Sequence, residues 1–216
     1  MRVLHISAHA DDETLGCGGT LLRHEARGDD LLWVVVTVPF PSSPEPWGSQ
    51  AMTKQSERDH VARAFSFKER LELGFPPAAL DTIPFAALVD RLRDAITQLR
   101  PDLIYTVWPQ DRHSDHILTA RAVLAAWPAW AGGVKAIRLC ETVSAIGAEA
   151  PFAPDLWVDI SAHLDQKIGM LGFYRTELRP PPHPRNDKGV RAWATYRGAQ
   201  VGVAAAEAFR TAWAIE

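Results

Sequence analysis

Ala8-His9-Ala10-Asp11-Asp12-Glu13-Thr14-Leu15-Gly16-Cys17-Gly18-Gly19 follows directly on the first apolar run, Val3-Leu4-His5-Ile6-Ser7. That run has the length and composition of a short buried strand. The glycines and the Thr20-Leu21-Leu22 after them open a helix, which the pattern places over residues 18–26, with Gly28 able to adopt the left-handed cap. An imidazole and three consecutive acids thus stand where a strand hands over to a helix. Open α/β sheets place their ligands there, in the crevice beyond the carboxyl ends of the strands. Three crowded carboxylates repel one another unless something positive sits among them, and a metal ion is the simplest candidate.

Outward from this stretch, apolar runs alternate with helical patterns. Leu31-Leu32-Trp33-Val34-Val35-Val36-Thr37-Val38 is continuous and β-branched, as expected of a strand covered on both faces. Strand, helix and strand within about forty residues imply a parallel βαβ unit with a right-handed crossover. Residues 39–48 hold four prolines and two serines and form a loop on the same rim as the acids, where substrate contacts and plain connectors both occur. Charged residues at helical spacing predict a helix over 54–71. A second helix over 85–99 carries Leu88, Leu92, Ala95, Ile96 and Leu99 on one stripe and closes at Arg100-Pro101.

The next central strand, Leu103-Ile104-Tyr105-Thr106-Val107, ends in Trp108-Pro109-Gln110-Asp111-Arg112-His113-Ser114-Asp115-His116, and a helix over 117–126 follows at once. This repeats the first arrangement: buried strand, short turn dense in His and Asp, helix. Further strands are predicted over 136–143 and 156–160. A helix over 162–174 capped by Ser161, a proline-rich loop or lid over 176–191, and a small-residue helix over 200–209 complete the chain. The expectation is one α/β domain over residues 1–216, an open and mostly parallel sheet with helices on both faces.

With 216 residues, 47% hydrophobic and 23% charged, the chain has ample material for a core. A net charge of −3 and a pI near 6.2 give no reason to expect nucleic acid or an anionic membrane as partner. No apolar run approaches the roughly 20 residues a membrane span needs, and no basic segment precedes a long apolar one. Two cysteines, Cys17 and Cys140, are too few for a disulfide framework and suit a reducing compartment, so a cytoplasmic location is expected.

The two His/Asp turns carry the chemistry. His9 and Asp12 can converge on one ion, and His116 comes from a neighbouring strand end. Two imidazoles, one carboxylate and an open position form the ligand set of a catalytic zinc site. Water in the open position acquires a pKa of about 7. Asp11, beside the metal ligand, is suited to take the water's proton. His113 can face the site, with Asp115 holding its ring and keeping it protonated, to stabilise an oxyanion and protonate a leaving amine. These residues point to metal-assisted hydrolysis of an amide or ester.

Plainer uses compete for the same residues. A lone histidine at a strand end is usually structural, and His5, His24, His60, His163 and His183 are read that way. Acids at a helix N-terminus can simply complement its dipole. Gly16-Cys17-Gly18-Gly19 looks like part of a dinucleotide fingerprint, but acids precede it where a pyrophosphate would approach, which favours helix–strand packing. The occurrence of two His/Asp clusters, each at a strand-to-helix junction, favours the metal.

The first cluster, followed by Leu15-Gly16-Cys17-Gly18-Gly19-Thr20-Leu21, resembles the signature of the LmbE-like, or PIG-L, family of zinc-dependent N-deacetylases, with Ala10 where the family usually has proline. His113-Ser114-Asp115-His116 resembles its second signature. The resemblance implies a Rossmann-like sheet, zinc held by His9, Asp12 and His116 (another divalent metal such as Fe2+ suits the same set), and Asp11 as general base. It implies His113 as electrostatic or acid group, oriented by Asp115. The family's usual substrates are N-acetylated amino sugars, including N-acetylglucosamine joined to inositol, phosphoinositide, malate or a glycopeptide, and some members cleave other amides.

Two departures bear on substrate contacts. Residues 39–48 replace a Gly-Glu-Arg type segment, and Asp111-Arg112 stand where some members place a tyrosine. Arg58 and Arg112 are the candidate substrate-binding residues. The expected activity is removal of an N-acyl group, acetyl first, from a small amino sugar or its conjugate. The alternatives are an amidase of the same fold acting on a larger conjugate, or a non-catalytic metal- or nucleotide-binding homologue. Eight tryptophans offer stacking on sugar rings or a homo-oligomer interface.

Overall fold

The structure is a computed structural model and describes residues 1–127, 133–143 and 151–215. Strands β1 (Arg2–Ser7), β2 (Asp30–Thr37), β3 (Glu69–Phe75), β4 (Leu103–Val107), β5 (Ala136–Cys140), β6 (Leu156–Asp159) and β7 (Ala206–Ala214) form one sheet in the order β3-β2-β1-β4-β5-β7-β6. The first five pair in parallel, and β7 runs antiparallel to both β5 and β6. Helices α1 (Asp12–Ala26), α2 (Trp47–Ala64), α3 (Phe85–Leu99), α4 (Ser114–Ala126), α5 (Leu164–Leu171) and α6 (Asp187–Ala199) cover it.

Alternation along the central strands builds two cores. Leu31, Trp33 and Val35 of β2 face one layer with Cys17 and Leu21 of α1, Val61 of α2 and Met170 of α5. Leu32, Val34 and Val36 face the other, with Leu88, Leu92 and Ile96 of α3 and Val123 of α4. The predicted stripe on α3 is the buried one, and the helix ends at Arg100 in the left-handed region (φ 46°), before Pro101. Strand order reverses between β2-β1 and β4-β5, so the crevice of the sheet opens at the carboxyl ends of β1 and β4. Both His/Asp turns lie there.

Several predicted boundaries move. α1 starts at Asp12 rather than residue 18, because the acids are its buried first turn. α2 covers residues 47–64 instead of 54–71. Leu71 belongs to β3, which pairs with β2 through Leu71 and Val34. α4 begins three residues early, at Ser114. α5 is shorter than predicted and starts after His163; Ser161 instead bonds Asp159 and packs beside Ala205. The predicted loop over 176–191 gives way to α6 from Asp187. The small-residue segment over 200–209 is not a helix: it leads into β7, where Ala206, Ala208 and Phe209 are buried and pair with β6. Among the described residues, no helix is long and apolar enough to cross a membrane.

Candidate active site

The site is built where β1 and β4 end. His9 lies two residues beyond β1, and its backbone N–H donates to Asp12 Oδ2 at 2.8 Å. Asp12, on the first turn of α1, places Oδ1 3.2 Å from His116 Nε2. The same His116 nitrogen lies 3.2 Å from His9 Nδ1. His116 Nε2 is therefore the atom that the other two approach, each at 3.2 Å. Among the described residues, the cluster whose ligand atoms all lie within 4.8 Å of one another is His9, His113 and His116, so His113 joins it and Asp12, expected as a ligand, touches it through His116.

Further contacts hold the rings. His116 Nδ1 stands 2.8 Å from Asp111 Oδ2, which also accepts from Thr142 Oγ1 at 3.0 Å. The Asp115 carboxylate does not bond the His113 ring, contrary to expectation. It faces His9 Nε2 at 2.9 Å and accepts the backbone N–H groups of Ala78 (2.7 Å) and Leu80 (3.2 Å). The backbone of Asp115 reaches His113 instead, donating its N–H to Nδ1 at 3.2 Å and making His113 the N-cap of α4.

Electrostatics follow from this packing. Burial opposes ionisation of Asp12, but the charge and hydrogen bond of His116 outweigh it and hold the carboxyl below the usual carboxylate range. Burial disfavours the His116 cation, yet Asp12 and Asp111 push its pKa up to about 10. The surroundings of His113 work against the protonated ring that the sequence suggests. Burial, and then the neighbouring His9 and His116, lower its pKa to about 4. Asp11 is raised well above the carboxylate range by burial, against the pull of Arg185, whose Nη1 lies 3.3 Å from Asp11 Oδ2.

These groups line a cleft of about 230 Å³ whose outer wall comes from α2 and the segment before α6. Lys54 Nζ donates to Glu177, Arg185 Nη1 donates to the other oxygen of Glu177 at 2.7 Å, and Glu57 holds the Thr176 hydroxyl at 2.7 Å. Trp47 completes the wall. Of the two candidate substrate residues, Arg58 lines the cleft but is 1% exposed, with its guanidinium on Glu72 (3.0 Å) and Gln55 (2.6 Å). Arg112 is exposed and lies outside the cleft lining. No motif in the sequence marks Arg185, Glu177 or Lys54 as part of the cleft. The only sequence signal for Arg185 and Glu177 was their place in a proline-rich stretch after α5.

The glycine run packs α1 against the sheet. A Cβ on Gly19 would stand 2.7 Å from Ile160, and one on Gly16 would stand 2.9 Å from Cys140 Sγ. This is the close approach expected of helix–strand packing.

A family model described as PIG-L, GlcNAc-PI de-N-acetylase, matches residues 4–127, the segment that carries both His/Asp turns. The chain belongs to the PIG-L family. A curated 1D-myo-inositol 2-acetamido-2-deoxy-alpha-D-glucopyranoside deacetylase from Saccharomonospora viridis is similar to this PIG-L chain at 26% identity, covering 83% of this chain and 86% of the relative. A conserved protein of Thermus thermophilus superposes with a TM-score of 0.78 at 26% identity, over 99% of this chain and 96% of that one. The N,N'-diacetylchitobiose deacetylase of Pyrococcus horikoshii shares the fold, with a TM-score of 0.79 at 21% identity over 97% and 83% of the two chains.

Proposed function

We propose that this PIG-L protein is a divalent-metal-dependent hydrolase that removes an N-acyl group, acetyl first, from an amino sugar or amino-sugar conjugate. The observation that carries the reading is His116 Nε2 standing 3.2 Å from both His9 Nδ1 and Asp12 Oδ1, beside Asp11 in an open cleft. A tetrahedral ion with bonds of 2.0–2.1 Å holds its ligand atoms about 3.3 Å apart, so the spacing suits zinc or Fe2+. His9, Asp12 and His116 would hold the ion, which when bound supplies a Lewis acid for the acyl carbonyl and an acidified water.

The remaining steps belong to the chain. Asp11, at the same turn, accepts the proton of the attacking water. His113 acts as a neutral donor. Its Nδ1 accepts the Asp115 backbone N–H, which fixes the ring proton on Nε2, and that N–H is available to an oxyanion in the cleft. Trp47 offers an aromatic face for a sugar ring, and the wall of Lys54, Glu177 and Arg185 offers polar contacts to its hydroxyls. The activities named for the inositol-linked and chitobiose relatives support an N-acetylated sugar as the substrate class. Two buried free cysteines fit a reducing compartment such as the cytoplasm.

The test measures metal per chain by elemental analysis and acetate release from a panel of N-acetylated amino sugars, before and after chelation and readdition of Zn2+ or Fe2+. One metal per chain and acetate release that follows it are expected. A chain that binds no divalent metal, or releases acetate equally after chelation, overturns the reading.

A further inference from the structure

Glu13 is fully buried, yet it belongs neither to the donor group nor to the cleft wall. Its Oε1 accepts the Thr14 hydroxyl at 2.6 Å and the Tyr174 hydroxyl at 2.7 Å. Its Oε2 accepts the backbone N–H of Asp11 at 3.2 Å. Tyr174 comes from beyond α5, 161 residues away in sequence, and is 1% exposed. A dipole-complementing acid would stand in water at the helix end; this one is enclosed and reaches backwards.

Asp11, the residue it reaches, has φ 140° and ψ −21°, a conformation that L side chains rarely adopt. Such a backbone persists only where its surroundings over-determine it. On one side, the Asp11 carbonyl accepts the N–H groups of Leu15 (2.8 Å) and Thr14 (3.1 Å). Glu13 supplies the other side, as the returning acid of a capping box does when it takes the N-cap N–H.

We propose that Glu13, held in place by Tyr174, is a positioning residue that fixes the Asp11 backbone and so aims the Asp11 carboxylate into the cleft. The proposal rests on Asp11 being the base, as inferred above. Glu13 touches neither substrate nor metal; its effect passes through Asp11. A shift of about 1 Å in a reacting group costs on the order of 100-fold in rate. Loss of the strut is therefore read in kcat, with KM and metal content unchanged.

The experiment pairs a double-mutant cycle with amide exchange. Turnover of N-acetylglucosamine is measured for the wild type, Glu13→Gln, Tyr174→Phe, Asp11→Asn, and Glu13→Gln combined with Asp11→Asn. Glu13→Gln is expected to lower kcat about 100-fold, Tyr174→Phe to lower it in the same direction by less, and Glu13→Gln to cost nothing further on Asp11→Asn. In metal-free protein, hydrogen exchange followed by NMR should show the Asp11 amide losing about tenfold or more of its protection in both Glu13→Gln and Tyr174→Phe. Unchanged protection of that amide overturns the strut whatever the turnover. So does a Glu13→Gln effect that adds fully to Asp11→Asn, or that appears as lost metal. If Asp11→Asn turns over like the wild type while the amide loses protection, Asp11 is not the base and the strut stands.

Discussion

Asp115 holds His9 with its side chain, Oδ2 standing 2.9 Å from His9 Nε2, while the other His9 nitrogen faces the donor group. A carboxylate behind a ligating imidazole fixes its ring and tautomer and raises its basicity, and loss of such a partner typically costs 10- to 100-fold in metal affinity. Asp115→Asn should therefore weaken Zn2+ binding to the stripped protein by about 10- to 100-fold, measured by calorimetric titration. Unchanged affinity would separate Asp115 from the metal.

His113 is caught by the backbone of the same residue, and this allows the helix cap and the proposed donor to be tested apart. His113→Asn keeps a side-chain acceptor at the N-cap of α4 but removes the Nε2–H. Stability and metal content should stay near those of the wild type, while kcat falls about 10²- to 10³-fold, as when an oxyanion donor is lost. Full turnover by His113→Asn would remove His113 from the chemistry.

The central strands and α3 could be read because their patterns have one interpretation. Residues 31–38 are apolar on both faces, and the α3 stripe repeats every three to four positions. Reading failed where a segment's partner is remote in sequence. Residues 69–75 carry only a short strand-like alternation, which runs on directly from the charged helical pattern before it, and pairing with β2 is what sets them apart as a strand. Ala204-Ala205-Ala206 has strong helix propensity, yet β7 is set by its place between β5 and β6. The site divides in the same way. Both His/Asp turns could be read because each gathers its chemistry within a few residues. Arg185 meets Asp11 across 174 positions and Tyr174 meets Glu13 across 161, and no local pattern announces either contact.

His5, buried behind the site and lifted slightly by the charge of Asp12, gives a pH signature of its own. It is fully buried on β1, with Nδ1 3.0 Å from Ser7 Oγ, and burial lowers its pKa to about 4. The unfolded chain, with a histidine pKa near 6.5, binds this proton more readily than the folded one. The stabilisation by neutral His5 is thus complete above pH 6.5 and is lost as pH falls from 6.5 towards 4. The difference corresponds to about 3 kcal/mol at neutral pH. Denaturant unfolding of the wild type and His5→Asn between pH 7 and 4.5 should show a shallower fall for the variant. Parallel curves would mean that His5 takes up no proton on unfolding.

The buried pair of Lys167 and Glu207 makes a prediction about stability. Lys167 Nζ donates to Glu207 Oε1 at 2.6 Å and to the Leu15 carbonyl at 2.9 Å. Glu207 accepts the N–H groups of Gly19 (2.9 Å) and Thr20 (2.7 Å) from the same helix, α1. β7 and α5 thus reach into the backbone of the helix whose first turn carries Asp12. Removing one member of a buried pair strands the other's charge, at a cost of about 3–5 kcal/mol, whereas replacing both is far milder. Lys167→Met alone should lower unfolding free energy by about that much, and adding Glu207→Gln should restore a large part of it. Were the double variant the less stable of the two, the charge of Glu207 would be stabilised by the α1 amides without its lysine.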